Sequence, residues 1–163
     1  MKKRINEKQQ KKLDRYYTIG KVVLMITPFV AYLYLSLLSM NRGITLQQVL
    51  SSEPSVAVVF LLAMINPYIA YLLGLVQKKL KENNMKFVCL NFTLLLLAQA
   101  LTLNSLYFFI IAFLFYQTIK TYDLKVIKNV KENTIKQMFS YGGGSFIVIA
   151  FSALSLFSTI RLM

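Results

Sequence analysis

Amide side chains are the groups in the apolar parts of this sequence that could do chemistry. Asn66 stands directly before Pro67 in the middle of one apolar stretch, and Asn91 and Gln99 stand in the next. A carboxamide donates and accepts hydrogen bonds but does not titrate. Such side chains usually bond a neighbouring helix, and we favour that interpretation for Asn91 and Gln99. For Asn66 and Pro67 we favour a kinked packing helix over a hinge or a small polar pocket at the bilayer centre. The alternative is that these four residues line a neutral polar path.

Titratable groups are missing from the middle of the same stretches. The sequence has no histidine, and its six acidic residues stand singly. A metal cluster needs several ligands close together, and a serine nucleophile needs a base. Proton-coupled transport usually relies on ionisable residues inside the apolar part of the protein. The composition therefore predicts a protein that is not an enzyme and holds no cofactor or metal.

The longest uncharged run extends from Phe87 to Ile119, between Lys86 and Lys120. One membrane crossing takes about 20 apolar residues, so this run is long for one span and short for two. Its flanks are both basic, and cytoplasmic loops carry the excess of Lys and Arg. Both flanks therefore belong on the cytoplasmic side, and the run crosses and returns with a turn near 102–105. The alternative is one strongly tilted helix.

The distribution of charge and apolar residues predicts an all-α fold, a polytopic integral membrane helix bundle in a single domain over residues 1–163. All but Arg42 and Arg161 of the 19 basic residues fall in or beside segments assigned to the cytoplasm. We expect five transmembrane helices (alternatively four), with the N-terminus inside and the C-terminus outside. A basic cytoplasmic tail covers residues 1–18, and the spans cover about 19–40, 56–76, 87–102, 105–119 and 145–160.

Local patterns add three expectations. Thr45 and Gln48 fit a capping box at the start of a short helix in the first external loop. The small residues Ala70 and Gly74 stand four apart, a spacing that allows two helices to approach closely. The glycines that precede the last span disfavour a continuing helix, so we expect a hinge there, where the chain turns into the span. This hinge comprises Gly142, Gly143 and Gly144.

Residues 120–141 form the most informative polar segment, a predicted cytoplasmic amphipathic helix. Its apolar stripe comprises Leu124, Ile127, Val130 and Met138, and its basic residues are Lys125, Lys128, Lys131 and Lys136. This pattern is typical of a helix lying on anionic lipid at the membrane interface. A helix that binds a protein partner has the same pattern. We favour contact with the lipid of the inner leaflet.

These observations predict a small non-enzymatic integral-membrane protein of accessory type. It would pack against a larger membrane partner or another copy of itself, in an immunity, secretion-accessory or envelope-regulatory role. The alternative is a membrane subunit of a transporter or exporter, or a small channel. Nucleic acid is not an expected partner, because the lysines flank apolar spans. We expect the protein to be multi-pass in a cell membrane, and its Lys-rich composition without Trp favours a bacterial one.

Overall fold

The computed structural model describes residues 7–102, 104–124, 126, 130 and 135–162, and for 135–139 and 162 the backbone alone. Helix accounts for 92% of the structure, and the described residues include no strand. The helices are α1 (Glu7–Arg42), α2 (Leu46–Ser52), α3 (Pro54–Lys81), α4 (Met85–Leu101), α5 (Ser105–Tyr122) and α6 (Ile135–Leu162). The predicted all-α fold is therefore confirmed.

Within the described part of the chain, three helices are long and apolar enough to cross a membrane. They are α1, α3 and the Ser140–Arg161 part of α6, while α4 is a shorter apolar helix. A hydrocarbon core about 30 Å thick needs roughly 20 helical residues, and each of the three helices has more than that. The chain therefore has the architecture of a helical membrane bundle.

The apolar run from Phe87 to Ile119 is divided into two helices. The chain leaves α4 at Leu101, with Thr102 as its C-cap, and enters α5 at Ser105. The hydroxyl of Thr102 donates a 2.8 Å hydrogen bond to the Gln99 carbonyl, one of the acceptors that a helix end leaves without a backbone donor. The break thus lies where the turn was predicted.

The helices form a bundle with two chemically different ends. At one end α1, α4 and α6 begin and α3 and α5 end. This basic end carries most of the described lysines. The opposite end, which we call the far end, holds α2 and the turn between α4 and α5. Within the bundle α1 packs mainly on α3, and α4 on α6, while α5 contacts α1 and α4.

The far end is closed over α1 and α3 by α2. The predicted capping box is present. The backbone N–H of Thr45 donates to Gln48 Oε1 at 2.8 Å, and the backbone N–H of Gln48 donates to Thr45 Oγ1 at 3.3 Å. Pro54 ends this segment and opens α3 at its first position, where a missing N–H costs no helical bond. Arg42 and Glu53 form an ion pair across the same loop.

The expected turn at the three consecutive glycines is wrong, because α6 runs through them without a break. Tertiary packing explains the departure from helix propensity. A Cβ atom on Gly142 would lie 2.8 Å from Leu94 Cδ1, and one on Gly144 would lie 2.6 Å from Leu72 Cδ2. Gly142 and Gly144 therefore bring α6 close to α4 and α3, while a Cβ on Gly143 would meet nothing within 4 Å.

Close helix approach was predicted at Ala70 and Gly74, and only the first of these is packed. Ala70 is buried in the core, whereas a Cβ on Gly74 would meet nothing within 4 Å. The glycine that brings α1 close to α5 is instead Gly20, where a Cβ would lie 2.9 Å from Leu114 Cδ1. Gly74 is therefore not a close contact between helices of this chain, and close approach of a partner helix at this position stays a prediction.

The predicted amphipathic helix lies largely outside the described residues. Lys125, Ile127, Lys128 and Lys131 are not described, and neither are the side chains of Lys136 and Met138. Leu124 is buried, and Val130 packs against the core. The segment also ends earlier than predicted, because α6 already begins at Ile135.

Leucine substitutions at adjacent glycines test the packing role of α6. We expect Gly144→Leu to lower the free energy of unfolding by about 1–3 kcal/mol, the usual cost of overpacking a core. Gly143→Leu is the matched control, and should leave stability unchanged or raise it by up to about 1 kcal/mol, since glycine is a poor helix former. Thermal unfolding in micelles, followed by circular dichroism, measures both. Equal losses would contradict the assignment of contacts.

Candidate functional site

A cavity of about 840 Å³ lies between α1, α3, α4, α5 and α6, towards the far end of the bundle. Its position follows from its lining, which includes residues 27–35 of α1, the first half of α3 from Ser55 to Ile69, and the turn between α4 and α5. On α6 the cavity reaches Val148 and Ser152. The volume falls in the range of about 300–1,000 Å³ that is typical of small-molecule sites.

The cavity walls are mainly apolar, with a few neutral polar groups. Aliphatic and aromatic side chains such as Leu35, Phe60 and Ile69 form most of the surface. None of the described lining residues is Asp, Glu, Lys or Arg. The described part of the site therefore offers hydrogen bonds and apolar contact, but no carboxylate, ammonium or guanidinium charge.

Asn66 is the most unusual polar group of the cavity. Its side chain is only 3% exposed and lines the cavity, yet it makes no hydrogen bond to any described residue. Pro67 follows it and has no N–H, so the carbonyl of Ala63 lacks its usual helical donor. Ala63 also lines the cavity. An unpaired amide and an underused carbonyl thus lie on the same part of α3, which calls for a partner in the cavity.

Gln99 adds a second amide from α4. It is buried, and its Oε1 lies 3.4 Å from the hydroxyl of Thr102, which also lines the cavity. Its Nε2 has no hydrogen-bond partner in the described part of the chain. The hydroxyls of Thr27 and Ser152 line the same cavity but are occupied by carbonyls of their own helices. Among the buried polar side chains of the lining, free hydrogen-bonding capacity therefore remains on Asn66 and Gln99.

Asn91 has a different role from the other predicted amides. Its Nδ2 donates to the carbonyls of Phe87 and Tyr141, both at 2.9 Å, and its Oδ1 accepts from the Ser145 hydroxyl at 2.7 Å. All four residues belong to α4 and α6, so the Asn91 side chain joins these helices. The predicted bond to a neighbouring helix is therefore present at Asn91, which does not line the cavity.

Further polar bridges close the basic end. Gln77 of α3 donates to Asp14 at 2.6 Å and accepts from Lys21 at 2.8 Å, both residues of α1. The hydroxyl oxygens of Tyr17 and Thr118 are 3.0 Å apart and join α1 to α5. Sequence reasoning missed these bridges because their partners are 56 to 101 residues apart.

A local ion pair lies at the C-terminal end of α3. The Lys79 ammonium donates a 2.6 Å hydrogen bond to the Glu82 carboxylate. This hydrogen bond holds the pKa of Glu82 below its usual range. The pair is solvent-exposed, and such pairs contribute little to stability.

The predicted polar-path residues are therefore not brought together as one set. Asn66 and Gln99 share the cavity, while Asn91, Pro67, Ala70 and Gly74 lie outside its lining. Thr102 and Ser152 belong to the cavity but carried no sequence signal beyond being hydroxyl residues in apolar helices. No protein-family model, curated protein or solved structure matches the chain.

The same substitution at two asparagines tests this division of roles. Asn91→Leu should lower the free energy of unfolding by roughly 0.6–2 kcal/mol, the range for hydrogen bonds between membrane helices. Asn66→Leu should cause no loss, since it removes a buried amide without a described partner. Unfolding in micelles, followed by circular dichroism, measures both variants. Equal destabilisation would show that Asn66 also holds helices together.

Proposed function

We propose that the protein is a small non-enzymatic integral-membrane protein that acts by binding, as an accessory to a membrane partner or to a second copy of itself. The observation that carries this proposal is the cavity, which is lined by neutral amides and apolar side chains among the described residues. Such a lining can hold a molecule or a side chain but offers no carboxylate or ammonium for proton transfer among the described residues. Immunity, secretion-accessory and envelope-regulatory roles are all compatible with it.

The proposed topology has five spans, with the basic end in the cytoplasm. The short helices α4 and α5 support it, since 17 and 18 residues extend over about 26 Å at 1.5 Å per residue. This is slightly less than the hydrocarbon thickness, a mismatch that local thinning accommodates. Lysines concentrated at one end support a cytoplasmic location for that end, facing the anionic lipid of a bacterial plasma membrane.

Transport is the second candidate, as a membrane subunit of an exporter. The same cavity favours it, because Asn66 and Gln99 are neutral polar groups within the bundle. A small channel is less well supported, since the core at the basic end is packed. Tyr17, Leu73 and Phe92 are fully buried there, and the Tyr17 and Phe92 rings are in edge contact with centroids 6.2 Å apart.

The far half of α1 is the surface best suited to a partner. Of the three long apolar helices it is the least buried, and its side chains Phe29 and Leu37 are 71% and 66% exposed. In a membrane these residues contact either lipid or another apolar helix.

Cysteine labelling tests the topology, in a background where Cys89 is replaced by alanine. Cysteines at Ser51 and Ser105 should react with an impermeant thiol reagent in intact cells. A cysteine at Glu82 should react only after permeabilisation. Glu82 is a better position for the cysteine than its neighbour Asn83, because Asn83 has a backbone φ of 60°. This left-handed conformation tolerates asparagine better than most other residues. Labelling of Glu82→Cys in intact cells, or of Ser105→Cys only after permeabilisation, would contradict the five-span arrangement.

Cross-linking in cells followed by native purification tests the accessory function. We expect one defined membrane protein, or a second copy of this chain, to co-purify. Its recovery should fall when Phe29 and Leu37 are both replaced by alanine, and should be unchanged when Leu154 and Phe157, which are similarly exposed on α6, are replaced. Substrate flux through liposomes that contain this protein alone, with no partner recovered, would contradict the proposal and favour transport.

A further inference from the structure

We infer that the cavity at the far end is a binding site for a neutral amphiphile, a molecule with an acyl chain and an uncharged, hydroxyl-bearing head such as a monoacylglycerol. This inference rests on the proposed function in one respect, because it takes the bundle to lie in a membrane. It goes beyond that function by naming a ligand and its route of entry.

The polar groups of the cavity define the head of the ligand. Neither the side-chain amide of Asn66 nor Gln99 Nε2 makes a hydrogen bond to any described residue. Buried amides of this kind are costly unless they are bonded. The Asn66 carboxamide offers both a donor and an acceptor, and Gln99 Nε2 offers a donor. A head with hydroxyl and ester groups accepts from the two amides and donates to Asn66 Oδ1.

The absence of charge in the described lining excludes a charged head. A phosphate or an ammonium beside Asn66 would be buried without a counter-ion, because no Asp, Glu, Lys or Arg is among the described lining residues. A buried, unpaired charge is strongly destabilising. The chemistry therefore favours a neutral glyceride over a phospholipid.

The apolar walls and the volume suit an acyl chain. Leu35, Phe60, Ile69 and Val148 provide aliphatic and aromatic contact around the amides. The cavity of about 840 Å³ lies in the upper part of the range for small-molecule sites. The cavity can therefore hold one acyl chain with a small uncharged head, and no charged group of the ligand has to be buried in the protein.

Entry from the lipid is indicated by lining residues that are also exposed on the outside of the bundle. Val30 and Tyr34 of α1 are 58% and 56% exposed, and Leu106 of α5 is 58% exposed. The close contacts between α1 and α5, such as Gly20 with Leu114, lie nearer the basic end. The far halves of α1 and α5 therefore leave a lateral opening, through which an amphiphile enters from the bilayer.

Photolabelling of the full-length protein in phosphatidylcholine nanodiscs tests the site. The probe is a monoacylglycerol with a diazirine in its chain, and the comparison is a lysophosphatidic acid with the same chain. We expect the monoacylglycerol probe to label cavity residues, and excess unlabelled monoacylglycerol to suppress that labelling. The charged probe should label only exposed side chains. Cavity labelling by both probes to the same extent would overturn the neutral-head assignment.

Three variants make the result specific. Ala63→Phe fills the cavity and should remove the labelling, while Ala153→Phe, at an exposed position outside the lining, should not. Asn66→Leu keeps the size of the side chain and should weaken labelling roughly fivefold, the equivalent of one net hydrogen bond. If Ala63→Phe does not fold, Asn66→Leu alone decides the question.

Labelling spread evenly over exposed residues, and unchanged by Asn66→Leu or by competitor, would overturn the inference. A cross-link from the cavity to a partner protein, found in place of a lipid adduct, would also overturn the inference. These results are independent of the accessory function, because co-purification of a partner is measured separately. A lipid-loaded cavity without a partner would leave this inference standing and remove the proposed function.

Discussion

The hydrogen bonds of Asn91 are the interaction on which the arrangement of α4 and α6 depends. Inside an apolar environment each polar group must find its partner within the protein, because no water is present to replace it. Asn91 meets this requirement with the Ser145 hydroxyl and the Tyr141 carbonyl, at 2.7 and 2.9 Å. These bonds fix α6 beside α4 near the basic end, where Gly142 and Gly144 then allow backbone approach to α4 and α3.

The tight packing at the basic end and the cavity at the far end both follow from where polar side chains join the helices. Polar bridges from Asp14, Gln77 and Thr118 join α1, α3 and α5 near the basic end. Towards the far end α4 stops at Leu101 and α5 starts at Ser105, so the short hairpin covers less of α1 and α3. No comparable bridge among the described residues joins the helices around Asn66, and the space there remains open.

Sequence reasoning was sufficient wherever a local signal determined the structure. Thr45 and Gln48 predicted their cap, and the charges at Lys86 and Lys120 predicted that the apolar run between them is divided. It failed at Gly142–Gly144, because contacts with Leu94 and Leu72 override a poor helix propensity. It named Asn66 and Gln99 but could not show that they share a cavity while Asn91 does not, since this depends on how five helices pack. The five spans, the partner and the lipid contact of 120–141 stay predictions.

Spin labels at two alanines of α3 measure most directly the difference in packing between the cavity and the tightly packed core. Ala63 and Ala70 are both buried and stand two helical turns apart, but Ala63 lines the cavity and Ala70 belongs to the packed core. With Cys89 replaced, a nitroxide at Ala63 should give a mobile spectrum at unchanged helix content. A nitroxide at Ala70 should be immobilised or should destabilise the protein, because its side chain has no space. Equal immobilisation at both sites would contradict an open cavity at the far end.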